Sequence, residues 1–565
     1  MQPIRWNILS VEEEKINSLQ AELKIHPVLC KLLVLRGIET FEEAKKFFRP
    51  ELSDLHNPFL FNDMEKAVSR IQQAIANEEP IMVYGDYDVD GTTSVSLVYG
   101  FFKNFYDNIS YYIPNRYNEG YGVSIKGMDE AANRKAKLII CLDCGINAIE
   151  QIKYAKEKGI DFIICDHHRP SEILPDAFAI LDAKRTDNTY PFDELSGCGV
   201  GFKLIQAFAQ TYDIDFSEVE KYLDLVAISI ASDLVPITDE NRILCFHGLK
   251  LINEKPRAGI KTLIEIAGLK GELTINNLVF AIGPRINAAG RIDEGTDAVK
   301  LLIAEDLAGA WEHAHVLNTH NTERKGHDKD ITTQALNLLA NDVVGQSKKT
   351  TVVASEGWHK GVIGIVASRL MDTYYRPTIV LSKNNGTMIG SARSVREFDI
   401  YEALKKCEDL LEKFGGHKYA AGLQLSSDKY LQFCERFEKV VSESILEDQL
   451  IRELTIDAEL DLNDISWSFY NILQQFAPFG PGNMTPLFMS RNLVNSGSRI
   501  VSDKHLKFAL ANEKNVRVNG IGFDMKQHLP IVSEQKIDAV YSLEINEWQG
   551  NKNIEWRVRD VRKSN

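Results

Sequence analysis

From Asn62 onward, long amphipathic runs alternate with short apolar ones: MEKAVSRIQQAIANEE, IMVY, TTSVSLVYGFFKNF, SYYIP, GMDEAANRKAK, LIICLD, AIEQIKYAKEKGI, DFIICD and AFAILDAK. The long runs have helical spacing, and the short ones are unbroken apolar stretches of strand length. This alternation predicts βαβ units around a mostly parallel sheet buried on both faces. SGCGVGFKLIQAFAQTY and YLDLVAISIASDLVPI predict two more helices, the second ending at Asp233 ahead of Pro236, and GPRINAAGRIDEG reads as a Gly- and Arg-rich turn region.

The pattern then changes. A long, polar, helical stretch from Ala304 to Leu339 has few large apolar residues for its length, which suits a connector spanning two domains. TTVVAS, GVIGIVASRLMDTY, PTIVLS and TMIGSARS predict a second, smaller α/β unit. Past an acidic junction over residues 442–464, short alternating strands with polar turns predict a small β-barrel. Residues 1–60 read as a helical lead-in whose FEEAKKFF is a packing helix or a contact for a partner, its Phe and Ala spacing favouring packing. The expected fold class is therefore α/β, divided as 1–60, a sheet domain 61–303, a helical connector 304–345, a smaller α/β domain 346–441 and a barrel 451–565.

A chain of 565 residues is too long for one core, and 44% hydrophobic with 26% charged residues is globular composition. The beginning, MQPIRWNILSVEEEK, has neither a basic leader nor an apolar core segment, and no run of about 18 apolar residues occurs, so a cytoplasmic protein without a membrane anchor is expected. Eight cysteines, most in apolar runs, fit buried reduced thiols. Cys141 and Cys144 form a CxxC, but alternate strand residues face opposite ways and no second CxxC follows at finger spacing, so a zinc or redox site is disfavoured. The net charge of −15 argues against nonspecific coating of nucleic acid while leaving room for a local basic groove.

Chemistry concentrates at strand ends. The run IMVY leads into GDYDVDG, with Asp86, Asp88 and Asp90 at alternate positions, and three acids in five residues repel one another unless cations lie between them. Two more apolar runs end in Asp143 and in Asp166, His167 and His168. In open α/β sheets ligands bind beyond the carboxyl ends of the strands, where these residues fall. Mixed carboxylate and imidazole ligands favour Mn²⁺ or Mg²⁺ over zinc.

GDYDVDGTTS, LDCG, CDHH, LSGCGVGFKL, ASDLVP and GPRINAAGRI, in this order, resemble the successive motifs of the DHH phosphoesterase superfamily. Within it they resemble the branch of bacterial single-strand-specific 5′→3′ exonucleases, and the later GSARS and FGGHKYAAG resemble the associated DHHA1 domain. The resemblance implies a DHH catalytic domain, a DHHA1 nucleic-acid-binding domain and a barrel of OB type. It implies Asp88, Asp90, Asp143, His167 and Asp233 as metal ligands, with Asp143 bridging two ions, and Asp86, Asp166 and His168 as neighbouring catalytic positions. His168 is expected to meet substrate phosphate or to support the ligands from behind. Tyr84 stands where many members carry a ligating histidine, which leaves one ion's coordination open. Arg116, Arg285, Arg291 and Arg393, the last beside Ser391, are candidates for phosphate by their planar forks, with salt bridges to acids as the alternative. His417 in FGGHKYAAG can face substrate or pack at a turn.

The activity implied is hydrolysis of single-stranded DNA to nucleoside 5′-monophosphates in recombination and repair, with a helicase and a single-strand-binding protein as partners. A small-substrate phosphodiesterase of the same superfamily is the alternative enzyme, though the barrel favours a polymer. A non-catalytic scaffold is the alternative from another class, and the full ligand set speaks against it.

Overall fold

A computed structural model describes residues 4–292, 295–342 and 345–564. The lead-in opens on a strand, β1 (Ile4–Ile8), and then turns helical at Glu13–Leu23, Pro27–Val34 and Phe41–Phe48. Its first residues extend because they have a partner far along the chain, β12 (Arg452–Ile456), with which β1 pairs in parallel.

The first sheet holds β2 (Ile81–Gly85), β3 (Ile109–Tyr112), β4 (Leu138–Leu142), β5 (Asp161–Cys165) and β6 (Ala179–Leu181). Its order is β3-β2-β4-β5-β6 and every pairing is parallel. β2 and β4 are buried at every position, as continuous apolar runs in a sheet covered by helices on both faces must be. The segment expected to be a turn, GPRINAAGRI, is instead a helix, Gly283–Ile292, entered through a π-turn at Leu278–Ile282; Asp293 and Glu294 lie outside the described residues. Ile286, Ala288 and Ala289 bury its inner face. Gly290 is needed for close approach rather than for a turn: a Cβ there would stand 2.5 Å from the Tyr87 carbonyl oxygen.

The connector is one helix, Leu307–Asn341. Ala310, Ala314 and Leu317 pack into the core of the first domain, and Ile331, Ala335 and Leu339 pack with Trp358 in the second. The second domain holds β7 (Thr351–Glu356), β8 (Thr378–Asn384), β9 (Thr387–Arg393), β10 (Lys413–His417) and β11 (Ala420–Ser426), in the order β10-β11-β9-β8-β7. The C-terminal unit adds β13 (Ala458–Glu459), β14 (Phe488–Asn495), β15 (Arg499–Val501), β16 (His505–Ala511), β17 (Arg517–Gly522), β18 (Ile537–Trp548) and β19 (Asn551–Lys563). Its order is β13-β14-β18-β19-β17-β16-β15, and the further pairing of β14 with β16 closes the sheet into a barrel.

The lead-in and the barrel share one core, in which Leu29, Leu32 and Leu33 pack with Phe469, Phe476 and Trp556. Arg242 of the first domain locks this unit in place. Its guanidinium donates to the carbonyls of Phe47 at 2.9 Å, Phe476 at 2.9 Å and Ala477 at 3.0 Å, and lies 3.7 Å from the Phe47 ring centre. Arg242→Ala leaves those carbonyls unpaired, so a loss of about 1–3 kcal/mol is expected, the cost of buried acceptors left without a donor. Thermal melting and limited proteolysis around residues 475–485 check it, and an unchanged melt would mean the contact adds nothing.

Candidate active site

β2, β4 and β5 are neighbours in parallel register, so Asp86, Asp143 and Asp166 leave the sheet side by side. Asp88 caps the helix Val89–Lys103, its Oδ1 accepting the Gly91 N–H at 3.0 Å. Only glycine fits at 91, since a Cβ would lie 2.4 Å from the Asp86 carbonyl oxygen. Asp90, in the first turn, is buried and held from across the fold. It accepts the N–H groups of Gly197 and Cys198 at 2.7 and 2.8 Å, at the start of the helix Gly197–Thr211, and the Ser229 hydroxyl at 2.7 Å. That helix begins against Asp143, where a Cβ on Gly197 would stand 2.7 Å from the Asp143 Cβ. Asp233 ends the helix Leu223–Asp233 and reaches the cluster from the far side.

His167 gathers the acids. Its Nε2 is 3.2 Å from Asp143 Oδ1, 3.6 Å from Asp90 Oδ2 and 3.7 Å from Asp233 Oδ2. Asp143, His167 and His168 form one group whose ligand atoms lie close enough to share an ion, and Asp90, His167 and Asp233 form another. Asp86 and Asp88 adjoin these groups without belonging to either, and their nearness shows in their acidity: burial and then the charge of Asp88 raise Asp86, and burial and then Asp90 raise Asp88. Asp143 is raised well above an ordinary carboxyl by burial and by Asp90, Asp88 and Asp233, and Asp233 is pushed up to about 8 by burial, Asp90 and Asp88. Burial lowers His167. Asp86 Oδ2 and His167 Nδ1 are buried without a hydrogen-bond partner. Mutually repelling carboxylates with buried unpaired ligand atoms fit divalent cations, and an oxygen-rich set with imidazole fits Mn²⁺ or Mg²⁺.

Asp166 has a different place from the other acids. Its Oδ1 accepts the backbone N–H of His167 at 2.8 Å and lies 2.7 Å from His168 Nδ1, and its Oδ2 accepts the Ile146 N–H at 3.0 Å. It orients both histidines. Burial pushes Asp166 up, but the bond to His168 and its charge outweigh this and hold the carboxyl at about 2. The same pairing overcomes burial at His168 and raises it to about 9, with its Nε2 2.9 Å from the Tyr121 hydroxyl. His168 thus closes one ligand group by geometry yet keeps a proton suited to a phosphate oxygen. Tyr121 was not foreseen from sequence, nor were Ser229 and the Gly197 and Cys198 amides; a lone tyrosine or serine in a loop or helix carries no signal of its own. Tyr84 is turned into the core, its hydroxyl accepting the Ser124 N–H and donating to the Gly122 carbonyl, both at 3.1 Å. Cys141 and Cys144 are free and buried. Their sulfurs lie 3.5 Å apart rather than on opposite faces, because the strand ends at Leu142 and the chain turns at Asp143, where φ is 58°.

The candidate phosphate residues fall into three places. Arg116 lies over the Tyr87 ring at 5.2 Å and feels the charge of Asp86. Arg291 donates to the Gly361 carbonyl of the second domain at 3.0 Å and feels Asp88; burial lowers it to about 10. Ser391 and Arg393 sit together on β9, Arg393 Nη1 donating to Ser391 Oγ at 3.0 Å, and a Cβ on Gly364 would stand 3.1 Å from both side chains. Gly364 is in the first turn of the helix Ile363–Tyr374, so hydroxyl, guanidinium and helix N-terminus converge. Arg285 lies farther out, bonded to the Ala281 carbonyl and to Asn318 of the connector. His417 is exposed at the end of β10, in register with Ala420 and through it with Arg393, two strands or about 10 Å away.

The raised carboxyls give a testable linkage. Asp233 takes up a proton on folding, since its carboxyl moves from 3.8 to about 8, so the stability it supplies is complete below about pH 4 and is lost as pH rises through about 8. Without metal the melting temperature should fall between pH 5 and pH 8.5, and Mn²⁺ should restore it most at the upper end, each kcal/mol being about 2–4 °C. A flat metal-free profile, or equal Mn²⁺ shifts at both ends, would contradict this reading of the cluster.

A parallel α/β sheet with clustered Asp and His at its carboxyl edge, joined by one helix to a second α/β domain, defines a DHH-type phosphoesterase. Residues 80–230 match the DHH family N-terminal domain, 345–443 the DHHA1 domain and 456–560 the RecJ OB domain. The chain is 36% identical to the single-stranded-DNA-specific exonuclease RecJ of Bacillus subtilis over 99% of its length and 71% of that protein's. To its counterpart in Salmonella typhimurium it is 34% identical over 97% of its length and 98% of the relative's. The crystal structure of RecJ with Mn²⁺ from Thermus thermophilus superposes with a TM-score of 0.85 at 26% identity, covering all of this chain and 80% of that one. The chain belongs to the RecJ family.

Proposed function

We propose that the protein is a 5′→3′ exonuclease that hydrolyses single-stranded DNA to nucleoside 5′-monophosphates with Mn²⁺ or Mg²⁺ as cofactor. The observation that carries this is the pairing of the Asp90–Asp143–His167–Asp233 cluster with an anion pocket at Ser391 and Arg393 in the second domain. Asp88, Asp90, Asp143, His167 and Asp233 would hold the cations. Bound there, the cations supply water activation at neutral pH and charge neutralisation on the phosphoryl oxygens. Asp166 fixes the histidines, His168 directs a proton at the phosphate, and Arg116 and Arg291 counter its charge. The strand's terminal phosphate enters the Ser391–Arg393 pocket, which limits cleavage to the first bond. The reading includes a role in recombination and repair. It also includes a helicase and a single-strand-binding protein as partners, because an enzyme needing a free single-stranded end depends on one activity to open duplex and on another to manage the exposed strand.

One single strand labelled at its 5′ end and the same strand labelled at its 3′ end, digested with Mn²⁺ and with chelator, test it. The 5′ label should leave at once as mononucleotide while the 3′ label descends a ladder, and chelator should stop both. The reverse order would overturn the polarity, and early release of oligonucleotides would make the enzyme an endonuclease.

A further inference from the structure

Beyond the cluster and its phosphate pocket, a row of cations runs outward along the seam between the helix Gly283–Ile292 and the connector. Arg116 and Arg291 feel each other's charge, Arg291 feels Arg324, and Lys325 feels both Arg324 and Arg285. Arg324 and Lys325 are connector residues that the sequence did not single out. Among the described residues, Arg116, Arg285, Arg291 and Arg324 bond only to backbone, amide or ring partners and form no ion pair. In a chain of net charge −15 that many unneutralised guanidiniums in one row mark a path for an anionic polymer. The path starts at the metal ligands: Val89, beside Asp88, and Ser232, beside Asp233, line one cleft with Gly283, Asn287, Arg291 and Arg324. The Ser232 hydroxyl is buried there without a partner.

At the outer end of this row the helix is broken. Gly283 N–H bonds back to Leu278, an i→i+5 turn of a kind that recurs at functional sites. Val279 faces the cleft, while the next residue, Phe280, is 74% exposed, the highest value for any large apolar side chain among the described residues. The Arg285 guanidinium grips the carbonyl of Ala281, adjacent to Phe280. An aromatic ring held in water beside a cation row has the makings of a base-stacking platform, because phosphates follow the cations and every base has a face to stack.

We infer that Phe280 stacks against a base of the single strand on its way along the Arg324–Lys325–Arg285 face, and so positions the strand at the metal centre. This rests on single-stranded DNA being the substrate. Phe280 acts as a positioning residue and touches no reacting atom. It would anchor the strand between hydrolytic events and help draw it forward.

The test uses full-length protein, metal removed by chelator, and strands carrying 2-aminopurine at successive positions from a 5′-phosphorylated end. Wild type should quench fluorescence most at one position. Phe280→Ala should lose that quenching and weaken binding about 5- to 150-fold, the range for one stacked base. Phe280→Trp should keep both, Phe280→Leu neither, and Leu431→Ala, which removes another exposed apolar residue on a helix of the second domain, should change nothing. With Mn²⁺ the alanine variant should show a raised KM on long strands and shorter runs per binding event. Quenching and affinity retained in Phe280→Ala, or restored as well by leucine as by tryptophan, overturn the stacking role alone. A wild type that binds no single strand overturns the substrate reading and this inference with it.

Discussion

Asp143→Asn is expected to reduce metal-dependent hydrolysis by on the order of 10³-fold or more, the several kcal/mol that a positioned cation supplies to the transition state, while the fold survives. The substitution is nearly isosteric, so the contact of the side chain with Gly197 is kept. Asparagine also tolerates the left-handed φ of 58° at this position better than most residues. What changes is one charge within 3.2 Å of His167 and close to Asp90, Asp88 and Asp233. Removing it relieves repulsion, so the metal-free variant should melt at or above the wild-type temperature at pH 8 while its Mn²⁺-induced stabilisation shrinks. Activity assays and melts with and without Mn²⁺ separate these effects. Wild-type turnover from a folded variant would remove Asp143 from the centre of the site, and a variant that melted early would show that its carboxylate serves the fold.

Much of this site could be read along the chain, and the reason is topological. Every parallel strand brings its carboxyl end to the same edge, so acids and histidines that end apolar runs are brought together wherever they fall in sequence. Asp86, Asp143, Asp166 and His167 were legible on that rule alone. The groups that hold them were not. Ser229 lies mid-helix and the Gly197 and Cys198 amides belong to the backbone, so no residue pattern ties them to Asp90. The helix Gly283–Ile292 read as a turn because glycine and proline are poor helix formers; burial of Ile286 and Ala289 and close packing on Tyr87 outweigh that propensity. The lead-in was legible as helices but not as part of the barrel's core, since its apolar faces show only that something covers them. Deleting the barrel would strip Leu29, Leu32 and Leu33 of that cover, so point substitutions are the sounder probes of this enzyme.

Arg393→Ala should lower cleavage of 5′-phosphorylated strands roughly 10- to 150-fold, the 1.5 to 3 kcal/mol of a charge-assisted hydrogen bond, and narrow their advantage over 5′-hydroxyl strands. A free 5′ end differs from an internal position by a terminal phosphate with up to two negative charges, so an end sensor needs donors that a monoester fills and an internal diester does not. Ser391 Oγ, the Arg393 guanidinium and the first turn of the helix Ile363–Tyr374 lie together as such donors, and Gly364 leaves room beside them. Arg393 is partly desolvated with no carboxylate partner among the described residues, which lowers its affinity for its proton and leaves its charge available to an incoming anion. The Arg291 bond to Gly361 ties this domain to the one holding the acidic cluster, so the spacing between Arg393 and the cluster is a property of the fold. The variant should bind Mn²⁺ as wild type does, since no metal-ligand candidate touches Arg393. Initial rates on paired 5′-phosphate and 5′-hydroxyl strands, with the Mn²⁺ melting shift as control, decide the outcome. Equal losses on both ends, or an unchanged 5′-phosphate preference, would show that Arg393 does not read the end.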